Sequence, residues 1–386
     1  MLCYIEATKL TQMTSFTNSC RLAFLAVCTL ACSPGQKQTL ADRLKPSMDS
    51  LVNAAEGFSG VVLVANSGSS VYLGAVGRRD YRTGAPMDTA SIFELASISK
   101  TFTAAVVLRL VQDGKLGLED PIERFIGVFP YKGITIRHLL NHTSGLPDYQ
   151  EVMDQHWDKS RVAGNDDCIE YLIRYHPAPL FMPGERYAYS NTGYLLLATI
   201  AERASGIEFT ELMRARFLDP LHMEKTRFRT LDQKSSLPDL AWGFIPDEKG
   251  VPVSADSFPS SNYTIWLGNR KGPGRISSTA SDLLKWDQSF YSGKLLDTAL
   301  VSDAYRPARL LNDSLSAYGF GWEIRQVNGR RMVGHSGNNP GYRTLLLRDI
   351  GRNRTVILLS NNSYEKLDDL AAGAFTLLER VLSGGS

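Results

Sequence analysis

The sequence predicts an α/β (α+β) fold, with one antiparallel sheet drawn from N- and C-terminal strands, helices flanking it, and a mostly helical lobe inserted between the two sets of strands. Three observations predict it. β-Type runs cluster at residues 60–76 and again at 318–360; apolar residues recur at helical spacing just outside both clusters; and the long middle stretch is mostly helix and loop.

Taken in order, Leu40, Leu44, Met48, Leu51, Val52 and Ala55 recur at three- and four-residue steps, the pattern of a helix with one buried stripe. Pro46 is expected to limit where that helix starts. Gly60-Val61-Val62-Leu63-Val64-Ala65 and Val71-Tyr72-Leu73-Gly74-Ala75-Val76, joined by Asn66-Ser67-Gly68-Ser69-Ser70, read as a β-hairpin. Over residues 97–116 the pattern turns helical, with Phe102, Ala105, Val106, Leu108, Leu110 and Val111 apolar and Gly114 near the stop. Residues 117–316 form the mainly helical lobe. Residues 318–326, 330–335, 342–349 and 354–360 read as strands, punctuated by Asn328-Gly329 and Gly351-Arg352-Asn353, and Leu367–Leu382 is helical. Ligands usually bind in the cleft between such lobes.

Charge and cysteine usage narrow the function classes. The chain carries 42 Lys plus Arg against 40 Asp plus Glu, a net charge of +2. That is far from the basic excess that holds phosphate backbones, so nucleic acid is excluded as a partner. Cys3, Cys20, Cys28 and Cys32 lie at the N-terminus and Cys168 stands alone in the body, which rules out a disulfide framework there. After Arg21, the apolar run Leu22-Ala23-Phe24-Leu25-Ala26-Val27-Cys28-Thr29-Leu30-Ala31-Cys32 is too short to span a bilayer and reads as an export signal. Ala31 before Cys32, followed by Ser33-Pro34-Gly35-Gln36, resembles a bacterial lipoprotein processing site. Cys28 after Leu25-Ala26-Val27 is a second candidate, and simple secretion is the alternative. Residues 1–18 carry Glu6 and Lys9, unlike a signal start, so translation from Met13 is a further reading.

The first chemical motif is Phe93-Glu94-Leu95-Ala96-Ser97-Ile98-Ser99-Lys100, a serine at a helix start with a lysine three positions on. That spacing puts both side chains on one helix face. A serine hydroxyl needs a base to take its proton, and a lysine held among apolar groups or other cations can serve. The helix start favours developing negative charge, and the Ser97 amide can donate to an oxyanion. Alone the motif is weak, because Ser363-Tyr364-Glu365-Lys366 fits it too. Tyr189-Ser190-Asn191, ahead of the helical run 195–204, can aim a phenol and a carboxamide into one cleft. Gly334-His335-Ser336-Gly337-Asn338 ends a strand, where a bound acyl group could lie along exposed backbone.

In this order, S-x-x-K, Y-x-N and H-[ST]-G, the set resembles the serine β-lactamase and penicillin-binding protein superfamily, specifically the class C β-lactamase-like serine hydrolases. Also similar are Ile134-Thr135-Ile136-Arg137-His138-Leu139-Leu140-Asn141-His142-Thr143-Ser144-Gly145-Leu146-Pro147, Pro183-Gly184, and Ser278-Thr279-Ala280-Ser281-Asp282-Leu283-Leu284, so the resemblance covers about 57–361. It implies a β-lactamase/transpeptidase-like fold: residues 1–32 an export signal, 33–57 a linker and first helix, and 58–386 the catalytic domain. It implies that Ser97 is acylated, that Lys100 accepts its proton and that Tyr189 shuttles protons. By the same resemblance Asn191 orients the substrate amide, the Ser97 and Asn338 amides form the oxyanion hole, and His335, Ser336 and Gly337 line the cleft. No metal or organic cofactor is required.

His335 departs from the family pattern, which usually places Lys there, a fixed cation suited to the carboxylate of β-lactams and peptide C-termini. Some D-alanyl-D-alanine peptidases and esterases of the family carry His. The resemblance implies an enzyme that cleaves an amide or ester bond, and the N-terminal signal adds the expectation that it is exported to the cell envelope or periplasm and attached to the membrane through a lipidated Cys32. Its substrate would be a small molecule or peptide: a β-lactam, a D-Ala peptide or an ester. The alternatives are a small-ester carboxylesterase of the same fold and a catalytically silent receptor for cell-wall peptides or β-lactams. His138 and His142, four apart on a predicted helix, lack the Glu and third ligand of a zinc site and read as packing or hydrogen-bonding residues. No G-x-S-x-G elbow, P-loop or G-x-G-x-x-G occurs. Lys285, Arg343 and Cys168 read as surface or packing residues, with Arg343 also weighed as a carboxylate partner.

Overall fold

The computed structural model describes residues 38–384. The expected export signal, with Met13, Cys28 and Cys32, lies outside the described residues. No helix among the described residues is long and apolar enough to cross a membrane.

The first helix, Leu40–Asn53, opens on a capping box in which Thr39 and Asp42 bond each other's backbone N–H groups, and it buries Leu44, Met48 and Val52. Pro46 lies inside this helix rather than limiting its start. It stands on the exposed side, where the carbonyl it leaves unpaired can face water and its ring disturbs no packed neighbour.

Six antiparallel strands form the central sheet: β1 (Gly60–Asn66), β2 (Ser69–Val76), β3 (Glu323–Val327), β4 (Arg330–Asn339), β5 (Tyr342–Asp349) and β6 (Arg354–Ser360), in the order β3-β4-β5-β6-β1-β2. N- and C-terminal segments meet where β1 pairs with β6, from Gly60 opposite Ser360 to Asn66 opposite Arg354. Alternation along the strands builds two cores. Val62, Val64, Leu345, Leu347, Val356 and Leu358 pack with Leu40–Asn53 and Leu367–Leu382 on one face. Val61, Leu63, Leu346, Ile357 and Leu359 join the larger cluster on the other, which includes the buried helix Ser99–Gln112.

Two strand limits differ from expectation by more than two residues. β4 continues past residue 335 to Asn339, whereas Tyr318 to Trp322 is irregular and β3 begins only at Glu323. Gly321 explains the second: its φ is +81°, and a Cβ there would lie 2.9 Å from the Lys100 carbonyl oxygen. Aromatic residues gave that stretch its β character, but close approach to the Lys100 helix sets its path.

A small second sheet positions the site. Phe93–Glu94 pairs with Ile276–Ser278, which also pairs with Arg227–Phe228. The Leu95 N–H then donates to the Ile276 carbonyl at 2.9 Å, fixing the chain just ahead of Ser97.

Candidate active site

Ser97 sits in a single 3₁₀ turn, Ala96–Ile98, that leads into Ser99–Gln112. The helix expected over 97–116 is thus shorter, ending before Gly114, whose φ is +69°. Ala96 adopts φ +48°, a left-handed conformation that costs a residue with a Cβ and that turns the chain sharply just before Ser97. The turn is clamped by β4 and β5. The Thr344 hydroxyl donates to the Leu95 carbonyl at 2.8 Å, and a Cβ on Gly337 would lie 2.3 Å from the same oxygen. Only glycine lets β4 run this close to the Ser97 turn.

Lys100 is wholly buried, yet its three partners are uncharged: Ser97 Oγ at 3.1 Å, Asn191 Oδ1 at 2.9 Å and the Pro273 carbonyl at 3.0 Å. Burial first, and then the charge of Arg270, hold the Lys100 pKa well below the usual lysine range. A neutral amine has two N–H groups and one lone pair. Donation to Asn191 and Pro273 uses the first two and leaves the lone pair for the Ser97 O–H.

Tyr189 and Asn191 arrive together. Asn191–Ser205 is a helix capped by Ser190, whose hydroxyl accepts from the Gly193 N–H. The Tyr189 ring centroid lies 4.7 Å from Lys100 Nζ. Tyr189 is 43% exposed as a whole, but desolvation of its phenol among the packed site groups raises its pKa, with the neighbouring Ser97 hydroxyl pulling the other way, so Tyr189 holds its proton at neutral pH. Ser97, Lys100, Tyr189 and Asn191 therefore meet, although 91 positions separate Lys100 from Asn191.

On β4, pairing with β3 reaches only Gly334, so the strand beyond has one open edge. The Ser336 N–H points to that edge, donating to Glu323 Oε1 at 3.3 Å. Strand alternation places the Asn338 N–H on the same edge. Asn338 is exposed, and Gly337 beside it packs on the Ser97 turn. The Ser336 hydroxyl also donates to Glu323, at 2.9 Å.

His335 differs from its expected place on the cleft wall. Its side chain is 1% exposed. Nδ1 lies 2.6 Å from the Ser336 carbonyl, which can only accept, so Nδ1 carries the proton. Nε2 then accepts from the Tyr318 hydroxyl at 2.8 Å. Burial lowers the His335 pKa to about 4, although Glu323 Oε1, 3.6 Å from Nδ1, pulls it up. A buried ring of this kind is neutral near pH 7 and supplies no cation to the cleft.

Tyr318 and Glu323 escaped the sequence reading, whereas His142 has the packing and hydrogen-bonding role expected of it. Tyr318 holds His335. His142 packs against the Tyr189, Tyr194 and Tyr318 rings at 4.4, 5.0 and 4.5 Å, and its Nδ1 accepts the Ser190 N–H at 3.1 Å, tethering the Tyr189 loop. Glu323 anchors Ser336. The segment carrying His142 had stood out in the sequence, but the predicted helix did not reach it: Ile136–Leu140 ends first, and His142 has φ +61°. His138 instead closes its own helix start, accepting the Thr135 N–H at 3.2 Å. Arg343 is no carboxylate partner for the cleft. Its neighbour Thr344 faces the Ser97 turn, so Arg343 points to the opposite face, 3.7 Å from Glu365.

A family model described as Beta-lactamase matches residues 41–379. The chain is 38% identical over 307 residues to Penicillin-binding protein 4* of Bacillus subtilis (strain 168), covering 79% of this chain and 68% of that protein. It is 28% identical over 295 residues to a D-aminopeptidase of Brucella anthropi, covering 75% of this chain and 53% of that protein, so it spans about half the length of this relative. Among solved structures, a penicillin binding protein from Bacillus halodurans is similar with TM-score 0.72 and 26% identity, over 84% of this chain and 97% of that one.

Proposed function

Because the chain belongs to the beta-lactamase family of serine hydrolases, we propose that it opens a small amide or ester bond through an acyl-enzyme on Ser97. One observation carries this reading: a buried lysine without a charged partner bonds the Ser97 hydroxyl. As Ser97 Oγ attacks the carbonyl carbon, Lys100 takes its proton. The oxyanion that forms is held by the N–H groups of Ser97 and Asn338, each such donor being worth about 10²–10³ in rate. Tyr189, a phenol rather than a phenolate, passes the proton from Lys100 to the departing amine or alcohol as the carbon–heteroatom bond breaks. Water then attacks the acyl-enzyme, loses a proton along the same route and releases the acid, restoring the Ser97 hydroxyl. Asn191 fixes Lys100 and offers its amide to the substrate.

The His335 corner selects among substrates. With the imidazole neutral and buried, and the nearby guanidinium of Arg325 already paired with Glu323, a substrate's terminal carboxylate meets no free cation at His335. Amides and esters without that carboxylate, including amides with a free amino group, suit the site better than β-lactams or D-alanyl-D-alanine peptides. The D-aminopeptidase relative supports the amide. A small neutral ester is the second reading, favoured by the exposed apolar side chains of Leu311 and Met182 around Gly184, just before the Tyr189 loop. Export through residues 1–32, with lipid attachment at Cys32 or Cys28, would place the enzyme in the cell envelope.

Rates on a D-amino acid amide, a short-chain nitrophenyl ester, a D-alanyl-D-alanine peptide and a chromogenic cephalosporin test the reading. The amide or the ester is expected to be fastest. A cephalosporin rate above both would overturn the weight given to His335. Labelling by a penicillin probe without turnover of any of the four would identify a receptor instead.

A further inference from the structure

Away from Ser97, a cavity of about 470 Å³ opens between the helix Thr298–Ala304 and the ends of β4 and β5, within the size range of small-molecule sites. It shares no lining residue with the Ser97 site. Its chemistry is unbalanced. Arg306, Arg331 and Arg348 line it, and among the described residues no carboxylate does.

Arg348 is the deep group, its side chain 1% exposed and paired from behind with the buried carboxylate of Asp287. Its Nε donates to Asp287 Oδ1, one terminal nitrogen donates to the Asp287 carbonyl at 3.3 Å, and the other to the Tyr305 hydroxyl at 2.6 Å. Those bonds use three of the five guanidinium N–H groups. The Tyr291 hydroxyl, also on the wall, is buried with no hydrogen-bond partner. Such an orphan costs free energy until an acceptor or donor reaches it. At the mouth, Arg306 is held by Asp303 at 3.0 Å, whereas the exposed Arg331 reaches only the Tyr305 carbonyl. Val301 and Val333 supply apolar wall.

We propose that this cavity is a second ligand site, one that takes a small organic carboxylate with an apolar body. A carboxylate accepts several N–H and O–H donors at once and prefers the planar guanidinium, so it satisfies Tyr291 and Arg348 together and balances Arg331. An inorganic anion would leave the Val301 wall uncovered. An uncharged apolar molecule would leave the Tyr291 hydroxyl and the arginines without an acceptor.

Titration calorimetry on the full chain tests this with 3-phenylpropionate, its uncharged counterpart 3-phenylpropanol, and inorganic phosphate. Phenylpropionate is expected to bind one-to-one and saturably, with the other two weaker by about tenfold or more. Val301→Trp, which fills the cavity, and the surface change Arg331→Gln should each weaken phenylpropionate about tenfold while leaving ester hydrolysis at the wild-type rate. No saturable binding, equal binding of the alcohol or of phosphate, or binding indifferent to Arg331→Gln would overturn the proposal. Val301→Trp serves as the second check only if its melting transition is retained; Arg331→Gln and the three-ligand comparison decide without it.

Discussion

Two segments of this chain carry the same four-residue pattern and have nothing else in common. Ser363 and Lys366 are both exposed, ahead of the helix Leu367–Leu382. Ser97 and Lys100 have the same spacing, but Lys100 is buried under the central sheet and held by a hydroxyl, an amide oxygen and a backbone carbonyl. The difference teaches that the pattern supplies the atoms and desolvation supplies the base. An exposed lysine is protonated at neutral pH and cannot take a proton, whereas a buried one without a counter-ion is pushed toward its neutral form. The chain between the two sets of central-sheet strands provides that burial, since Asn191 and Pro273 both come from it.

The contrast can be broken most severely at the buried pair. Ser97→Ala is expected to lower kcat by at least about 10³-fold, and Lys100→Gln by about 10²–10⁴-fold, in steady-state assays on the best ester or amide. Loss of less than tenfold from either would contradict the roles given to them. The pH profile adds a sign. Because neutral Lys100 is the active form, kcat/KM should fall as pH falls through its depressed pKa, and the fall should lie well to the acid side of an ordinary lysine titration. Tyr189→Phe keeps the ring against Lys100 but removes the relay. It should cost about 10²-fold in kcat with little change in KM.

A smaller effect concerns His335 and sharpens the burial argument. Its folded pKa of about 4 lies below the ordinary 6.5. Between these values the unfolded chain binds a proton that the folded chain does not, so the stabilisation is complete above pH 6.5 and is lost as pH falls toward 4. The shift corresponds to about 3 kcal/mol. Denaturant titrations at pH 7 and pH 4.5 should show this loss reduced in His335→Gln, which cannot titrate. An equal loss in both proteins would assign the acid sensitivity elsewhere. Smallest of all, Ser363→Ala with Lys366→Gln should leave kcat unchanged and stability within about 0.5 kcal/mol by thermal melting.

Much of the fold was legible because alternation and helical spacing are local signals. β5, β6 and Leu367–Leu382 stand where their periodicity put them. The misread stretches are those where a distant contact overrides local preference: Tyr318 to Trp322 bends to pass the Lys100 backbone, and the strand of the His335 motif runs on to Asn339 because it lies along the Ser97 turn. In the site, Ser97, Lys100, Tyr189 and Asn191 were legible as motifs in a recognisable order. Tyr318 and Glu323 were not, because no spacing rule links either to the β4 residues it holds, and His142 was legible as a packing or hydrogen-bonding residue but not as the tether of the Tyr189 loop. Burial of His335 was illegible for the same reason, since Tyr318 provides it.

The account rests on Ser97 becoming acylated by means of Lys100, and intact-protein mass spectrometry with peptide mapping tests that most directly. After brief exposure to a slowly turned-over nitrophenyl ester or a fluorophosphonate, wild type and the Ser363→Ala, Lys366→Gln variant should each carry one adduct on Ser97, and Lys100→Gln should acquire it far more slowly. An adduct on any other residue, or one that forms as fast in Ser97→Ala, would contradict it.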